Sequence, residues 1–295
     1  MTDRSRILRR RAAFLSLAGA TLLTGGFPVV SSTLAAQEGA APAPEQASLT
    51  YARMADLVAS SPAIARVQVR SVTALEPERT PDLPTGRTRF YVQAETLGLI
   101  RSEGVIARRI AFLVDGSSAN ARRPGIKKET FLIFGRVGGQ VSEFQLTSST
   151  ALVPWSPANE ALARKVITDM MMPDAPPAIT GVTSAFNVPG AILGEGETQI
   201  FLQTEDGSPV SLSVIRRPQE QPHFSVSLGE IVDEAATVPE KDTLLWYRLA
   251  CGLPDQLPAL SLAELGRAEA QAAARDYAAF RAALGPCERP ETPVI

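Results

Sequence analysis

The chain has 295 residues, with 29 Lys and Arg against 31 Asp and Glu and a single histidine. Without its first 36 residues, which read as an export signal, 24 basic side chains face 30 acidic ones, a net charge of −6. That balance leaves no basic face for a nucleic-acid backbone, and the lone His223 excludes metal sites built on two or three histidines in one copy of the chain.

In residues 1–36, Arg4, Arg6, Arg9, Arg10 and Arg11 form a basic n-region, an uncharged apolar run covers 12–23, and Thr33, Leu34, Ala35 and Ala36 supply small residues for cleavage. Gly25, Gly26 and Pro28 interrupt the run, so a cleaved Sec or Tat signal is expected, with no stable membrane anchor afterwards. Residues 37–47 are rich in Ala, Pro, Glu and Gln without apolar period and read as a disordered leader. Four lysines beside 25 arginines and abundant alanine read as coding bias.

A helix is expected next, with Tyr51, Met54, Leu57 and Val58 on one face, Ser48 or Thr50 as its cap and Pro62 beyond its end. The strand at 64–75 changes phase between Val67 and Val69 and Val72 and Leu75, the mark of a bulge that lets a barrel strand bend. A Pro-rich loop at 76–88 precedes a strand at 89–96 with Phe90, Val92 and Ala94 inward. Further strands are expected at 106–114, 130–134 and 141–146. Arg122, Arg123, Lys127 and Lys128 flank Pro124-Gly125 and read as a solvated loop. Five such strands in about 85 residues fit a small closed or partly open barrel.

A short helix, a long bent first strand and a meander over 48–146 resemble OB-like barrels of the tissue-inhibitor and netrin type. Those inhibitors chelate a protease metal with an N-terminal cysteine, whereas the first cysteine here is Cys251, so inhibition does not carry over. The chain as a whole is similar to exported proteins of Gram-negative bacteria, a likeness that implies export and no activity.

Ser156 and Pro157 open a second helix with Leu162, Val166 and Met170 on one side, stopped by Pro173. Met170, Met171 and Met172 point about 100° apart on it and cannot converge on one ion. Residues 173–177 (Pro-Asp-Ala-Pro-Pro) form the expected linker. Strands follow at 179–186, 198–204, 210–216 and 224–232, with Asp206-Gly207 as a hairpin turn. Asp242 is the expected cap of a helix over 243–251. Ser261 and Glu264 form a capping box for a further helical stretch, Gly266 a break, and 267–284 a long Ala-rich helix ended by Gly285-Pro286.

The expected fold class is therefore α+β: a small antiparallel OB-like β-barrel domain with flanking helices at 48–172, then the linker, then an antiparallel sheet with C-terminal helices at 178–295. Cys251 and Cys287 are expected to form a disulfide, because export places them in an oxidising compartment and leaves one pairing. With Gly266 breaking the helix, 267–284 is about 27 Å long, short enough for the chain to return.

No catalytic, cofactor or metal-binding residue is expected. His223 lies between Pro222 and Phe224 as a turn or surface residue, and neither a Gly-x-Ser-x-Gly elbow nor a Gly-rich phosphate loop is present. Glu230, Asp233 and Glu234 lack aromatic neighbours for a sugar, and Trp155 and Trp246 read as packing anchors. The expectation is a periplasmic or secreted binding or envelope-assembly factor whose partner is an envelope protein or glycan, leaning away from an enzyme. The alternatives are a hydrolase using His223 with an unrecognised nucleophile, and a structural envelope component.

Overall fold

The computed structural model describes residues 49–120, 125–229 and 237–290. The expected export signal, the leader, the Arg122-Arg123 pair and the acidic group at 230–234 lie outside these residues. The protein is mixed α+β, with a nearly closed antiparallel barrel-like sheet, a second antiparallel sheet and helices at the C-terminal end.

Helix α1 (Tyr51–Ala59) is capped by Thr50, whose hydroxyl accepts from the Arg53 N–H at 3.2 Å. Pro62 follows, and β1 (Ala63–Ala74) leads into β2 (Arg87–Arg101), β3 (Arg109–Ser117), β4 (Thr130–Val137), β5 (Phe144–Leu146) and β6 (Leu152–Pro154). The first sheet runs β3-β2-β1-β4-β5, with β6 also paired to β4. The bulge expected in β1 is present as register shifts at Ile64/Ala65, Arg66/Val67 and Val69/Ser71 against β2. These bends let β1 pair with β2 on one side and β4 on the other.

Several boundaries differ from expectation. Strand β2 extends five residues past Thr96, because the bulged β1 keeps pairing with it as far as Ile64↔Arg101. Strand β3 begins at Arg109 rather than 106 and runs on to Ser117. Strand β6 was not expected, since three residues ending in proline carry no period. The run 125–128 is a turn, with Lys128 at φ 73°.

Ser156 caps α2 (Pro157–Met171) as expected, accepting from the Asn159 N–H at 3.1 Å. The second sheet has the order β10-β9-β8-β7, formed by β7 (Ile179–Pro189), β8 (Gly196–Thr204), β9 (Val210–Arg216) and β10 (His223–Ser227). Helix α3 (Leu244–Gly252) is capped by Thr243 rather than Asp242: the Thr243 hydroxyl accepts from the Trp246 N–H at 3.3 Å, while Asp242 takes φ 64°. The expected helical stretch at Ser261 is only a short 3₁₀ turn (Ala259–Leu262), because the Ser261 hydroxyl donates to the Pro258 carbonyl at 2.7 Å instead of capping forward. Helix α4 (Arg267–Leu284) follows Gly266 as expected.

Residues 47–295 form one compact unit, so the linker at 173–177 lies inside it. One core fills the barrel interior, with Val67, Val69, Phe90, Val92, Ile110, Phe112, Phe131 and Ile133. A second core joins Met54, Leu57 and Val58 of α1, Ile64, Leu132 and Phe134 of the barrel, Ile200, Leu212 and Val214 of the second sheet, and Trp246, Tyr277 and Phe280 of α3 and α4. The two tryptophans are anchors: Trp246 is buried and donates to the Leu284 carbonyl at 2.8 Å, and Trp155 donates to Glu160 at 2.7 Å beneath the Arg66 guanidinium. The Trp155 hydrogen bond, followed by Arg164 and Arg66, holds the Glu160 carboxyl below its ordinary range.

Helix α4 is pinned to the second sheet by Asp276. Its buried carboxylate pairs with Arg216 of β9 and accepts from the Thr198 hydroxyl of β8, which in turn accepts from Asn187 of β7 at 2.8 Å. Cys251 and Cys287 form the expected disulfide, closing a sequence separation of 36. It holds the tail after α4 against α1, where the Thr50 hydroxyl donates to the Glu288 carbonyl at 2.9 Å and Arg289 pairs with Asp56 at 2.9 Å.

Two predictions follow from these attachments. Arg216→Ala strands a buried carboxylate and is expected to cost about 3 to 5 kcal/mol, whereas Asp276→Asn keeps the shape and costs less; adding Asp276→Asn to Arg216→Ala should recover part of the loss in denaturant melts. Replacing both cysteines with serine should lower stability by roughly 3 to 4 kcal/mol on the chain-entropy model, and thiol titration of the unfolded, unreduced protein should find no free thiol.

Candidate functional site

The main opening on the described surface lies on the barrel, with a volume of about 1000 Å³. Two stretches of consecutive residues border it, 111–115 of β3 and 143–146 at β5. In a strand, successive side chains point to opposite faces, so an unbroken run of lining residues means that the opening meets the edges of these strands rather than one face.

The barrel's closure explains the opening. A single parallel bridge, Ala111↔Glu143, joins β3 to the segment before β5, supported by Ala107 N–H to the Val141 carbonyl at 2.9 Å and Ala111 N–H to the Ser142 carbonyl at 2.8 Å. Past it β3 and β5 lie side by side without a further bridge among the described residues. Phe112, Val114 and Phe144 are buried and apolar at the floor, while Leu75, Tyr91 and Leu113 form an apolar rim, with Tyr91 39% and Leu113 48% exposed.

Charge at the rim is mostly paired. Arg89 makes a two-pronged contact with Asp115, Nε to Oδ1 at 2.7 Å and Nη2 to Oδ2 at 2.9 Å, and reaches Asp82 at 3.3 Å. These carboxylates raise the guanidinium pKa further above its already high value, Asp115 first. Arg79, Glu143, Ser148 and Ser149 complete the polar border. Gly138 and Gly139 sit at the turn into β5, which lets the chain reverse tightly beside the opening.

Gly135 of β4 is the position that lets β5 approach. A Cβ there would run into the Gln145 carbonyl oxygen and press on the Phe144 ring. No other residue type fits that approach without moving β5.

The residues singled out by sequence fall elsewhere. Cys251 and Cys287 tie α3 to the tail. His223 is exposed at the first position of β10, opposite Ile215, and its side chain makes no hydrogen bond among the described residues. Met171 and Met172 are exposed at the end of α2, while Met170 packs against the core. Among the described residues no group of three or more His, Cys, Asp and Glu is placed to hold a metal ion. A further apolar surface is the β7–β8 hairpin, where Phe186 packs edge-on to Phe201 and Ile192 and Leu193 project at the tip.

Sequence reasoning missed the opening because it depends on where β3 and β5 meet, a long-range event. The one local signal is the Gly138-Gly139 pair. No protein-family model matches the chain, and no curated protein is significantly similar to it.

Gly135→Ala is expected to displace β5 and cost about 1 to 3 kcal/mol as overpacking does. Thermal melts should show the loss, and hydrogen exchange should place the faster amides in β4 and β5.

Proposed function

We propose that this is an exported binding or envelope-assembly factor of the periplasm or cell exterior, without chemistry of its own, and that the barrel opening is its contact surface. The observation that carries the reading is the opening itself, with an apolar floor and rim, a paired polar border and two strand edges brought together by one bridge. Binding sites are typically concave, mostly apolar and supplied with a few fixed polar groups.

The strand order, with β1 between β2 and β4 and β3 meeting β5 in parallel, supports an OB-like barrel, a five-stranded and partly open fold whose β2–β3 face commonly binds ligands. The disulfide supports an oxidising compartment, and no helix among the described residues is long and apolar enough to cross a membrane. A partner in the envelope, protein or glycan, fits these features. One edge of the second sheet is the less favoured surface, because β7 packs against α3, α4 and the 3₁₀ turn.

The test is photo-crosslinking in living cells. A photoreactive residue at Tyr91 or Leu113 is expected to trap a discrete envelope component, and one at the exposed Leu260, remote from the opening, is not. Equal adducts at both places, or none at the opening, would sink the assignment.

A further inference from the structure

We propose that the barrel opening binds a neutral oligosaccharide, with a sugar ring laid on Tyr91. This rests on the opening being the contact surface and goes further by naming the class of its occupant.

Strand register sets the site. Thr73 of β1, Tyr91 of β2 and Leu113 of β3 stand directly opposite one another. All three are exposed, whereas their neighbours Val92 and Phe112 are buried in the barrel. Opposite residues on paired strands share a face, so these three form one row across the outer surface of the sheet. Two strand positions to one side, about 7 Å away, Ser71 and Gln93 form the next row, where the Ser71 hydroxyl donates to the Gln93 side-chain carbonyl at 2.8 Å. Two positions to the other side Arg89 stands opposite Asp115, joined to it by the two-pronged pair.

The Tyr91 ring therefore lies between a flat amide and a flat guanidinium–carboxylate pair. Among the described residues no other ring and no cation stacks on it. A pyranose has the matching surface, with C–H groups on its faces and hydroxyls round its edge. The C–H groups suit the electron-rich face of an aromatic ring. Each hydroxyl donates and accepts at once, and the strip offers both kinds of partner. The Gln93 amide N–H groups and the Thr73 and Tyr91 hydroxyls make no other hydrogen bond among the described residues.

Charge favours a neutral ligand. Arg89 is spent on Asp115 and Asp82. The two border charges without an ion pair among the described residues, Arg79 and Glu143, are opposite in sign. The expected mature chain, at −6, repels an anionic polymer. A lipid tail fits less well, because it would strip water from the polar rows on both sides of Tyr91 without returning hydrogen bonds. A protein partner would want a desolvated anchor pocket at the centre of its contact, whereas the central row here is exposed.

The probe is an immobilised panel of neutral oligosaccharides built from glucose, N-acetylglucosamine, galactose and mannose, with acidic oligosaccharides and an alkyl glycoside beside them. The folded protein should bind at least one neutral member, with an affinity that added salt leaves unchanged. Tyr91→Ala should weaken that binding about tenfold or more, as loss of a stacked ring does. Tyr91→Phe keeps the ring and should cost only the hydroxyl's hydrogen bond, about threefold. Gln93→Ala should cost a similar factor. All three side chains are exposed, so the melting temperatures should match the parent's; if Tyr91→Ala alone fails to fold, Tyr91→Phe and Gln93→Ala still carry the test. The proposal is overturned if no neutral member binds, if only acidic members bind and salt releases them, if the alkyl chain alone suffices, or if Tyr91→Ala and Gln93→Ala leave binding unchanged. Protein crosslinks from Tyr91 or Leu113 alongside any of those results would leave the contact surface standing and remove only the sugar.

Discussion

The constraint on which the rest of the fold depends is the burial of β4, and of the start of β1, on both faces. Ala65, Val67 and Ile133 fill the barrel, while Ile64, Leu132 and Phe134 point the other way and are equally shielded from water. A barrel strand with an apolar outer face needs a cover, since exposing large apolar side chains forfeits about 25 cal/mol for each Å² left in water. Helices α1 and α2 supply that cover, and α1 in turn packs on α3. The two sheets are held together for this reason, with a core that runs from the outer barrel wall through the helices to the second sheet.

Polar groups set the geometry of that stack. Tyr51 of α1 donates to Asp169 of α2 at 3.0 Å, and Tyr247 of α3 donates to Asp56 of α1 at 2.8 Å. Burial first, and then the carboxylates they face, push both phenols well above their ordinary pKa, so they act as neutral donors at any physiological pH. Lys165 lies over the Tyr51 ring and also pairs with Asp169 at 2.6 Å. Apolar contact alone tolerates sliding between helices. Directional bonds at each junction select one arrangement.

The barrel is covered where its wall is apolar, and between β3 and the segment before β5 it is joined by one bridge beside the opening. The opening there is bordered by apolar side chains, and its charges are paired as Arg89 with Asp115 and Asp82.

Local sequence determined much of the element plan. Thr50 and Ser156 capped helices as hydroxyls ahead of apolar periods, Gly266 preceded α4, the phase change in β1 marked its bulges, and the two cysteines had one pairing. Where two local signals competed, as at Asp242 and Thr243 or at Ser261, the cap was decided by which side chain could reach an N–H in the folded chain, and tertiary placement settled that. The burial of β4 and the start of β1 on both faces and the partnership of Arg216 with Asp276, 60 residues away, depend on contacts between distant segments. So does the opening beside β3: alternation within a strand shows which side chains face inward, but only the position of the neighbouring strand decides which backbone edge is paired.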